Sequence, residues 1–499
     1  LPVSLTIPKI GPDQPYSEIY EISGLADKVF IVNQLNSFFP SLNNVGESIN
    51  TYIDGETKWS LSLKKLISDN DITNRDIELS SDLKGVEINL PYPLGKSKEE
   101  TRPFTLLTKL NDVSINKINF NFDNLFFTEV SLDNTKNLMV KNIFIGLGQQ
   151  HSESPQTSET SMQGSIDKLN LSEWIDIFAI NNTKQPGKTT FGQTRGISGE
   201  LNVGKLRIIN NDFDNVIIKL SNPLEGLKIS FDGSEIKGHA QLIKAGNNEN
   251  DKLLVELESL SLHGRQTGVE SSRTEINKIP DLDVKIENFK YKDNQLGRLE
   301  LNTNNVQHGI KISKLNFSKP GFNITANGEW MRIDDIDRSE FYASLSSDSI
   351  ETMLGTFNYD ASNIQDGETT IEMNMNWMDT PMNFSMDEFN SELDMKIGKG
   401  QFLDIDPSAG RLFGLLSIQT LPRRLALDFT DLFNKGFSFD SISGDFSIDC
   451  NTSTIFVSKE NITNDVGYIR GKDGKVECFM EKDSSARGMK LVSIGIYKL

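Results

Sequence analysis

The stretch IPDLDVKIENFKYKDNQLGRLELNT, residues 279–303, alternates apolar with polar or charged side chains over two successive segments. The apolar members of this alternation are Leu282, Val284, Ile286, Leu299 and Leu301. Because successive side chains of a strand point to opposite faces of its sheet, the pattern predicts two strands that share one apolar and one polar face. The pair Asp293–Asn294 predicts the turn between them.

The same alternation recurs farther along the chain, in NITANGEW, IEMNMNW and GDFSID. The apolar positions in these segments are Ile324, Ile371, Met373, Met375, Phe446 and Ile448. Closely spaced strands with few helices between them predict a mainly β protein, with an elongated, curved, largely antiparallel sheet and a few short helices. One helix is predicted within 346–357, and the polar segments 149–163 and 181–196 are predicted to be loops.

The apolar face of this sheet has two interpretations. No other segment is apolar enough to form a buried second sheet, so the face is expected to curl on itself and to stay partly open as a groove. On general grounds, however, alternating Leu, Val, Ile, Phe and Met residues on strands more often form a closed core. The residues alone leave both interpretations open.

Composition excludes several classes of partner. The chain has 70 acidic and 51 basic residues, which gives a net charge of −19. Proteins that bind nucleic acid draw much of their affinity from Lys and Arg, so DNA and RNA are excluded as expected partners. The same charge disfavours a broad electrostatic contact with anionic lipid headgroups and leaves apolar contact as the way to hold a lipid.

Signatures of catalysis and of metal binding are missing from the sequence. The four histidines are dispersed, and none lies at a two-ligand helical spacing from another. The segment Pro186–Thr189 ends like a phosphate loop, but Asn182 stands where that motif requires a glycine. No G-x-S-x-G elbow occurs. We therefore expect no enzymatic activity, no metal and no cofactor.

Neither the cysteines nor the apolar runs indicate a disulfide scaffold or a membrane span. Cys450 and Cys478 are interpreted as unpaired thiols, although one bond between them stays possible. No run reaches the roughly 20 apolar residues that a spanning helix needs. The first residues, LPVSLTIPKIGPDQP, show no basic region followed by an apolar core.

The segment GQFLDIDPSAGRLFGLLSIQTLPRRLALDFTDLFNKGFSFDSISGDFSID, residues 400–449, combines a strand, a helix and further strands. Pro407 and Ser408 precede a run with apolar residues near helical spacing, and the apolar face of this helix is expected to pack on the sheet. The whole segment closely resembles the AsmA-like part of the YhdP family of Gram-negative envelope proteins. Segments 81–104 and 279–303 are also similar to that family.

This resemblance implies a periplasmic bridge, anchored in the inner membrane through a part of the full-length protein that this chain lacks. Its curved sheet would form an apolar groove that moves phospholipid between the inner and outer membranes. The implied partners are phospholipid acyl chains and the two membranes, and no protein partner is identified. The residues expected to line the groove are Leu282, Val284, Ile286, Leu299, Leu301, Ile324, Ile371, Met373, Met375, Phe446 and Ile448.

The resemblance also predicts a division of the chain. Residues 1–395 would form a continuous groove region, 396–458 an AsmA-like region, and 459–499 a tail that departs from the family pattern.

Arg423 and Arg424 could bind a phosphate headgroup, but pairing with nearby acidic residues is the preferred interpretation. The alternative to lipid transport is a structural or assembly-assisting envelope protein with a closed apolar core.

Overall fold

Strands account for most of the chain that the structure describes. The computed structural model describes residues 3–7, 16–30, 33, 51–66, 74–111, 114–133, 139–148, 160–174, 197–208, 211–221, 226–243, 250–263, 276, 279–383, 389–403, 437–449, 454–464, 467–470, 474–482 and 489–496. The prediction of a mainly β protein with few short helices is confirmed. The contacts divide the chain into two units, unit 1 (Leu1–Gln241 with Arg265–Val269) and unit 2 (Leu242–Gly264 with Glu270–Leu499).

Unit 1 is built on strands whose alternating residues supply an apolar face. These strands are β1 (Val3–Thr6), β2 (Tyr16–Asp27), β3 (Ile53–Leu66), β4 (Asn74–Ser81), β5 (Val86–Ile88), β6 (Phe104–Asn111), β7 (Ser114–Phe122), β8 (Phe126–Asp133), β9 (Met139–Leu147), β10 (Thr160–Asn170), β11 (Ile197–Ile208), β12 (Asn211–Ser221), β13 (Leu227–Asp232) and β14 (Ile236–Ile243), the last of which ends at the division between the units.

Unit 2 also consists mainly of strands. Its strands are β15 (Lys252–Leu262), β16 (Asp281–Tyr291), β17 (Asn294–Val306), β18 (Gly309–Lys319), β19 (Phe322–Ile333), β20 (Ile336–Ser347), β21 (Ile364–Asp366), β22 (Thr369–Trp377), β23 (Phe389–Ile397), β24 (Gly400–Phe402), β25 (Phe437–Phe439), β26 (Ser441–Asp449), β27 (Thr454–Asn464), β28 (Gly467–Arg470), β29 (Gly474–Lys482) and β30 (Met489–Ile496).

Pairing is mostly antiparallel and follows the chain order, as expected for a meander. Parallel pairing joins β9 to β10, β10 to β11 and β15 to β16. Parallel neighbours cannot be joined by a tight hairpin and need a long crossover connection. Each of these pairs is separated by a long connection in the sequence, whereas the antiparallel hairpins have short turns.

One of these parallel strands corrects a sequence prediction. The segment 149–163 was expected to be a loop, but β10 begins at Thr160. Met162 pairs with Ile145 on one side and with Gly199 on the other. Hydrogen bonds from two neighbouring strands therefore override the polar composition of this segment.

The helix predicted within 346–357 is confirmed as α1 (Ile350–Thr356). Ser349 is its N-cap, and the Ser349 hydroxyl accepts a hydrogen bond of 3.2 Å from the backbone N–H of Thr352. The strands β21, β24 and β25 form a small three-stranded sheet of their own. The predicted helix after Pro407 lies outside the described residues, and the division at 395 and 458 stays a prediction.

Candidate functional site

The register of unit 2 aligns apolar residues from successive strands into rows that cross the sheet. Val284 pairs with Leu301, Leu301 with Leu315, and the series continues strand by strand. This first row is Val255, Val284, Leu301, Leu315, Ala326, Ala343, Met373 and Leu393. Every member is apolar, so the alternation of each strand is in phase with that of its neighbours.

A second row lies two residues away from the first on each strand, on the same face. It consists of Leu257, Ile286, Leu299, Phe317, Ile324, Leu345, Ile371 and Met395. Ile286, Leu299 and Leu345 are almost fully shielded, with 2%, 8% and 4% of their surface exposed. Ile324 and Ile371 are half-buried. We call the side of the sheet that carries these rows the apolar face of unit 2.

A third row borders the first on its other side. It runs through Thr303, Ile312, Gly328, Phe341, Met375 and Ser391. Ile312, Phe341 and Trp377 form a buried cluster, with Leu301, Leu315, Trp330 and Met375 packed against it. The rings of Phe341 and Trp377 stack with centroids 5.4 Å apart. This end of the face therefore carries a packed aromatic cluster.

All the predicted lining residues whose side chains the structure describes belong to the apolar face of unit 2. Leu282 lies on β16 at alternate spacing to Val284 and pairs with Leu253. The others are members of the rows above: Val284, Ile286, Leu299, Leu301, Ile324, Ile371, Met373 and Met375. For Phe446 and Ile448 the backbone register is described, which pairs them with Leu393 and Ser391. Contact of these residues with lipid stays a prediction.

Several residues of the same face were missed by sequence reasoning. Phe341, Ala343 and Leu345 alternate in RSEFYASLSS with the regularity of the segments that were chosen, so this signal was available. Leu315 and Phe317 were harder to assign. The register shifts between Ile312 and Leu315, which interrupts the simple alternation of β18.

The opposite side of this sheet is polar and carries ion pairs. Lys252 Nζ donates to Asp283 at 3.0 Å, and this hydrogen bond lowers the pKa of Asp283. Lys314 Nζ donates to Glu300 and lowers the pKa of that carboxyl in the same way. These charged groups lie between the apolar positions along β16 and β17, so the apolar and charged side chains occupy separate faces.

One end of the apolar face is closed by α1. Ile350 of the helix packs with Ile397 and Phe439, which expose 8%, 4% and 1% of their surface. Met353 and Leu354 of the helix and Met395 of the second row pack against this cluster. The small three-stranded sheet contributes Phe439, so the helix and this sheet together cover the strand ends beyond the second row.

The other end of the apolar face carries tryptophans whose N–H groups are hydrogen-bonded. Trp330 Nε1 donates to Asp337 at 2.8 Å, and Trp377 Nε1 donates to the carbonyl of Thr380 at 3.1 Å. Arg332 donates to both carboxylate oxygens of Asp337, at 2.9 and 3.0 Å. Its guanidinium lies 5.8 Å from the centre of the Trp330 ring. This end of the face thus passes from aromatic to charged residues.

Unit 1 has rows of its own. One of them consists of Ile22, Leu61, Leu79, Leu106, Phe120, Thr128, Ile145 and Met162. A neighbouring row at one strand end is aromatic in part: Trp59, Ser81, Phe104, Phe122, Phe126 and Leu147. There the guanidinium of Arg102 lies 5.6 Å from the centre of the Phe122 ring. Arg102 belongs to the connection between β4 and β6, which packs beside this end.

The described part of the chain contains no group of three or more His, Cys, Asp and Glu residues that could hold a metal ion. Within the same residues, no helix is long and apolar enough to cross a membrane. His151, the segment Pro186–Thr189, Arg423, Arg424 and Cys450 lie outside the described residues.

The chain resembles known proteins over most of its length. The model of a family described as "YhdP protein" matches residues 21–464. The "Intermembrane phospholipid transporter YhdP" of Escherichia coli (strain K12) is 23% identical to the chain over 417 residues, which cover 79% of this chain and 31% of that relative. The chain therefore spans less than a third of the length of this relative. No solved structure shows a significant match.

Proposed function

The chain belongs to the YhdP family, and from this premise we propose that it is part of a non-enzymatic conduit that carries phospholipid between the inner and outer membranes. The observation that carries the proposal is the continuity of the first apolar row in unit 2, which runs from Val255 to Leu393 without a polar member. An uninterrupted apolar path is what an acyl chain needs to leave a membrane and still avoid water. The name of the Escherichia coli relative supports phospholipid as the cargo.

The energetic argument rests on the cost of exposing a lipid to water. Each methylene kept from water is worth about 0.8 kcal/mol, so an acyl chain cannot cross an aqueous gap unshielded at a useful rate. Rows of Leu, Ile, Val, Ala and Met side chains would shield the acyl chain from water without making strong directional contacts with it. A lining of this kind lets the lipid slide because no position binds it much more tightly than the next.

We assign the protein to the periplasm, with an inner-membrane anchor in the full-length protein. The fold offers its apolar face to acyl chains and its charged face to water, as a bridge across an aqueous compartment requires. No step of bond making is assigned to it.

The experiment that tests this proposal uses photoreactive side chains placed one at a time along β16. Capture of phospholipid is expected at Leu282 and Val284, weaker capture at the more shielded Ile286, and none at Asp283 or Lys285, because successive side chains point to opposite faces. Met373 and Met375 against Asn374 on β22 provide a matched second set. Mass spectrometry of the captured species gives the readout. Capture without this alternation would indicate nonspecific adsorption and would contradict the proposal.

A structural protein with a closed core is the second candidate function. The shielding of Ile286, Leu299 and Leu345 favours it, because a continuously open face would leave such side chains more exposed. The substitution Val284→Asp separates the two candidates. In an open conduit water reaches the new carboxylate, so the fold survives while lipid capture stops; in a closed core the unpaired charge unfolds unit 2.

A further inference from the structure

The apolar face of unit 2 carries different side chains at its two strand ends. At one end, α1 and Phe439 close the face with an aliphatic and aromatic cluster. At the other end lie Trp330 and Trp377, followed by the ion pair of Arg332 and Asp337. Between these ends the described rows are formed mainly by aliphatic and aromatic side chains.

The order of side chains matches the order of chemical groups in a phospholipid. Tryptophan is the residue that favours the boundary between hydrocarbon and polar headgroups, because its ring is apolar and its N–H needs a hydrogen-bond partner. Here both N–H groups donate toward the polar end, to Asp337 and to the carbonyl of Thr380. The aliphatic side chains on the other side of these tryptophans suit the methylene groups of an acyl chain.

The distance between the two ends matches the length of an acyl chain. On the apolar side of β22, Trp377 lies at one end and Ile371 lies next to the buried Thr369, which pairs with Ile397 of the α1 cluster. At about 3.3 Å per residue their separation is roughly 20 Å. One leaflet of a bilayer has a hydrocarbon depth of about 15 Å, half of the usual core thickness. An acyl chain laid along the strand therefore fits between the tryptophans and α1.

We propose that phospholipid lies across unit 2 with its acyl chains parallel to the strands, its glycerol-ester region beside Trp330 and Trp377, and its methyl ends toward α1. This inference rests on the proposed function, since it orients the same cargo on the same face. Lipids would then stand side by side along the rows, each with its headgroup at the Arg332–Asp337 end. Movement along the conduit is a shift from one set of strands to the next, without reversal of the lipid.

The test uses the tryptophans as reporters in the full chain. The variant Trp59→Phe with Trp174→Phe removes the two tryptophans of unit 1 and leaves Trp330 and Trp377 as the fluorophores. The probe is phosphatidylcholine that carries a nitroxide either near the carboxyl end or near the methyl end of one acyl chain. We expect a larger loss of fluorescence with the nitroxide near the carboxyl end. Circular dichroism and thermal melting confirm that the variant retains its fold.

A second measurement reads the opposite end of the lipid and does not involve the tryptophans. Photoreactive side chains at Ile371 and at Met375, on the same face of β22, are crosslinked to unlabelled phosphatidylcholine, and the attached acyl carbon is located by fragmentation. Attachment near the methyl end from Ile371 and near the carboxyl end from Met375 is the expected result. The matched control is Asn374 on the opposite face, which should capture no lipid.

The outcomes separate the orientation from the function. Equal quenching by the two nitroxides, with attachment spread along the acyl chain from both positions, would show that lipids lie along the rows and would overturn the orientation alone. The reverse order would overturn it as well and place the headgroups at α1. Absence of both quenching and crosslinking would contradict the proposed function, and the orientation would fall with it.

Discussion

The hairpin β11–β12 of unit 1 and the apolar face of unit 2 use the same kinds of side chain but bury them to different extents. Leu206, Phe213 and Val216 of the hairpin expose 0%, 1% and 1% of their surface. On the apolar face of unit 2, Val284 and Met373 are only half-buried. A regular alternation of apolar residues therefore defines a face, while the surroundings decide whether that face is a closed core or a partly open surface.

The two units also close their strand ends differently. In unit 1 Arg102, which belongs to the connection between β4 and β6, packs on Phe122 of an aromatic row. In unit 2 the closure is at the end opposite to the tryptophans, where α1 packs on Ile397 and Phe439. In the orientation proposed above, the aromatic end of unit 2 is the side from which a lipid headgroup would reach water.

The largest expected effect contrasts the two kinds of burial. Phe213→Ala should lower the free energy of unfolding by about 3–5 kcal/mol, because it opens a cavity in fully packed surroundings. Met373→Ala should cost less than about 2 kcal/mol, since neighbouring side chains and solvent already reach that position. Urea denaturation of each variant of this chain provides the midpoints. Equal losses would mean that the apolar face of unit 2 is as closed as the hairpin.

A smaller effect is expected at the N-cap of α1. Ser349→Ala should reduce stability by about 1 kcal/mol, because the backbone N–H of Thr352 loses its acceptor. Faster hydrogen exchange at Thr352 and at the amides that follow would locate the loss in the helix. Ser349→Asp is the matched control, since a carboxylate also caps this position. If the Ala and Asp variants had the same stability and the same hydrogen exchange, the cap would have no part in closing the end of the face.

The smallest effect concerns acid sensitivity. Arg207 donates to both carboxylate oxygens of Asp212, at 2.5 and 2.8 Å, and holds the pKa of Asp212 below its ordinary value. A carboxyl with a lowered folded-state pKa stabilises the protein fully above its unfolded pKa of about 3.9, and this contribution is lost as pH falls through the folded pKa. Stability should therefore decline below about pH 4 through this pair.

The ion pair of unit 2 provides the comparison for this titration. Lys252 also lowers the pKa of Asp283, but 23% of the Asp283 side chain and 46% of the Lys252 side chain are exposed, against 11% for Asp212. Asp212→Asn should thus reduce the loss of unfolding free energy at acid pH more than Asp283→Asn does. Both effects should stay within about 1 kcal/mol. Chemical unfolding at a series of pH values measures how the stability of each variant depends on pH. A larger effect from Asp283→Asn than from Asp212→Asn would contradict the prediction.

Much of the sheet could be predicted from sequence because alternation is a local signal. The segment 279–303 was predicted as two antiparallel strands, and β16 and β17 pair in that way. The helix predicted within 346–357 is also present as Ile350–Thr356, and the structure adds that Ser349 is its N-cap. Parallel pairing was missed at β10, where a polar segment becomes a strand only because β9 and β11 offer backbone partners on both sides.

The sequence by itself determined which residues share a face, because two-residue periodicity is a property of each strand. It placed Val284 and Ile286 together, and likewise Met373 and Met375. Only the tertiary structure decided that these pairs belong to common rows, since register depends on where distant strands meet and shifts at irregularities such as that between Ile312 and Leu315. The structure alone also decided that α1 closes one end and the tryptophans lie at the other, because contacts between elements far apart in the chain leave no periodic trace.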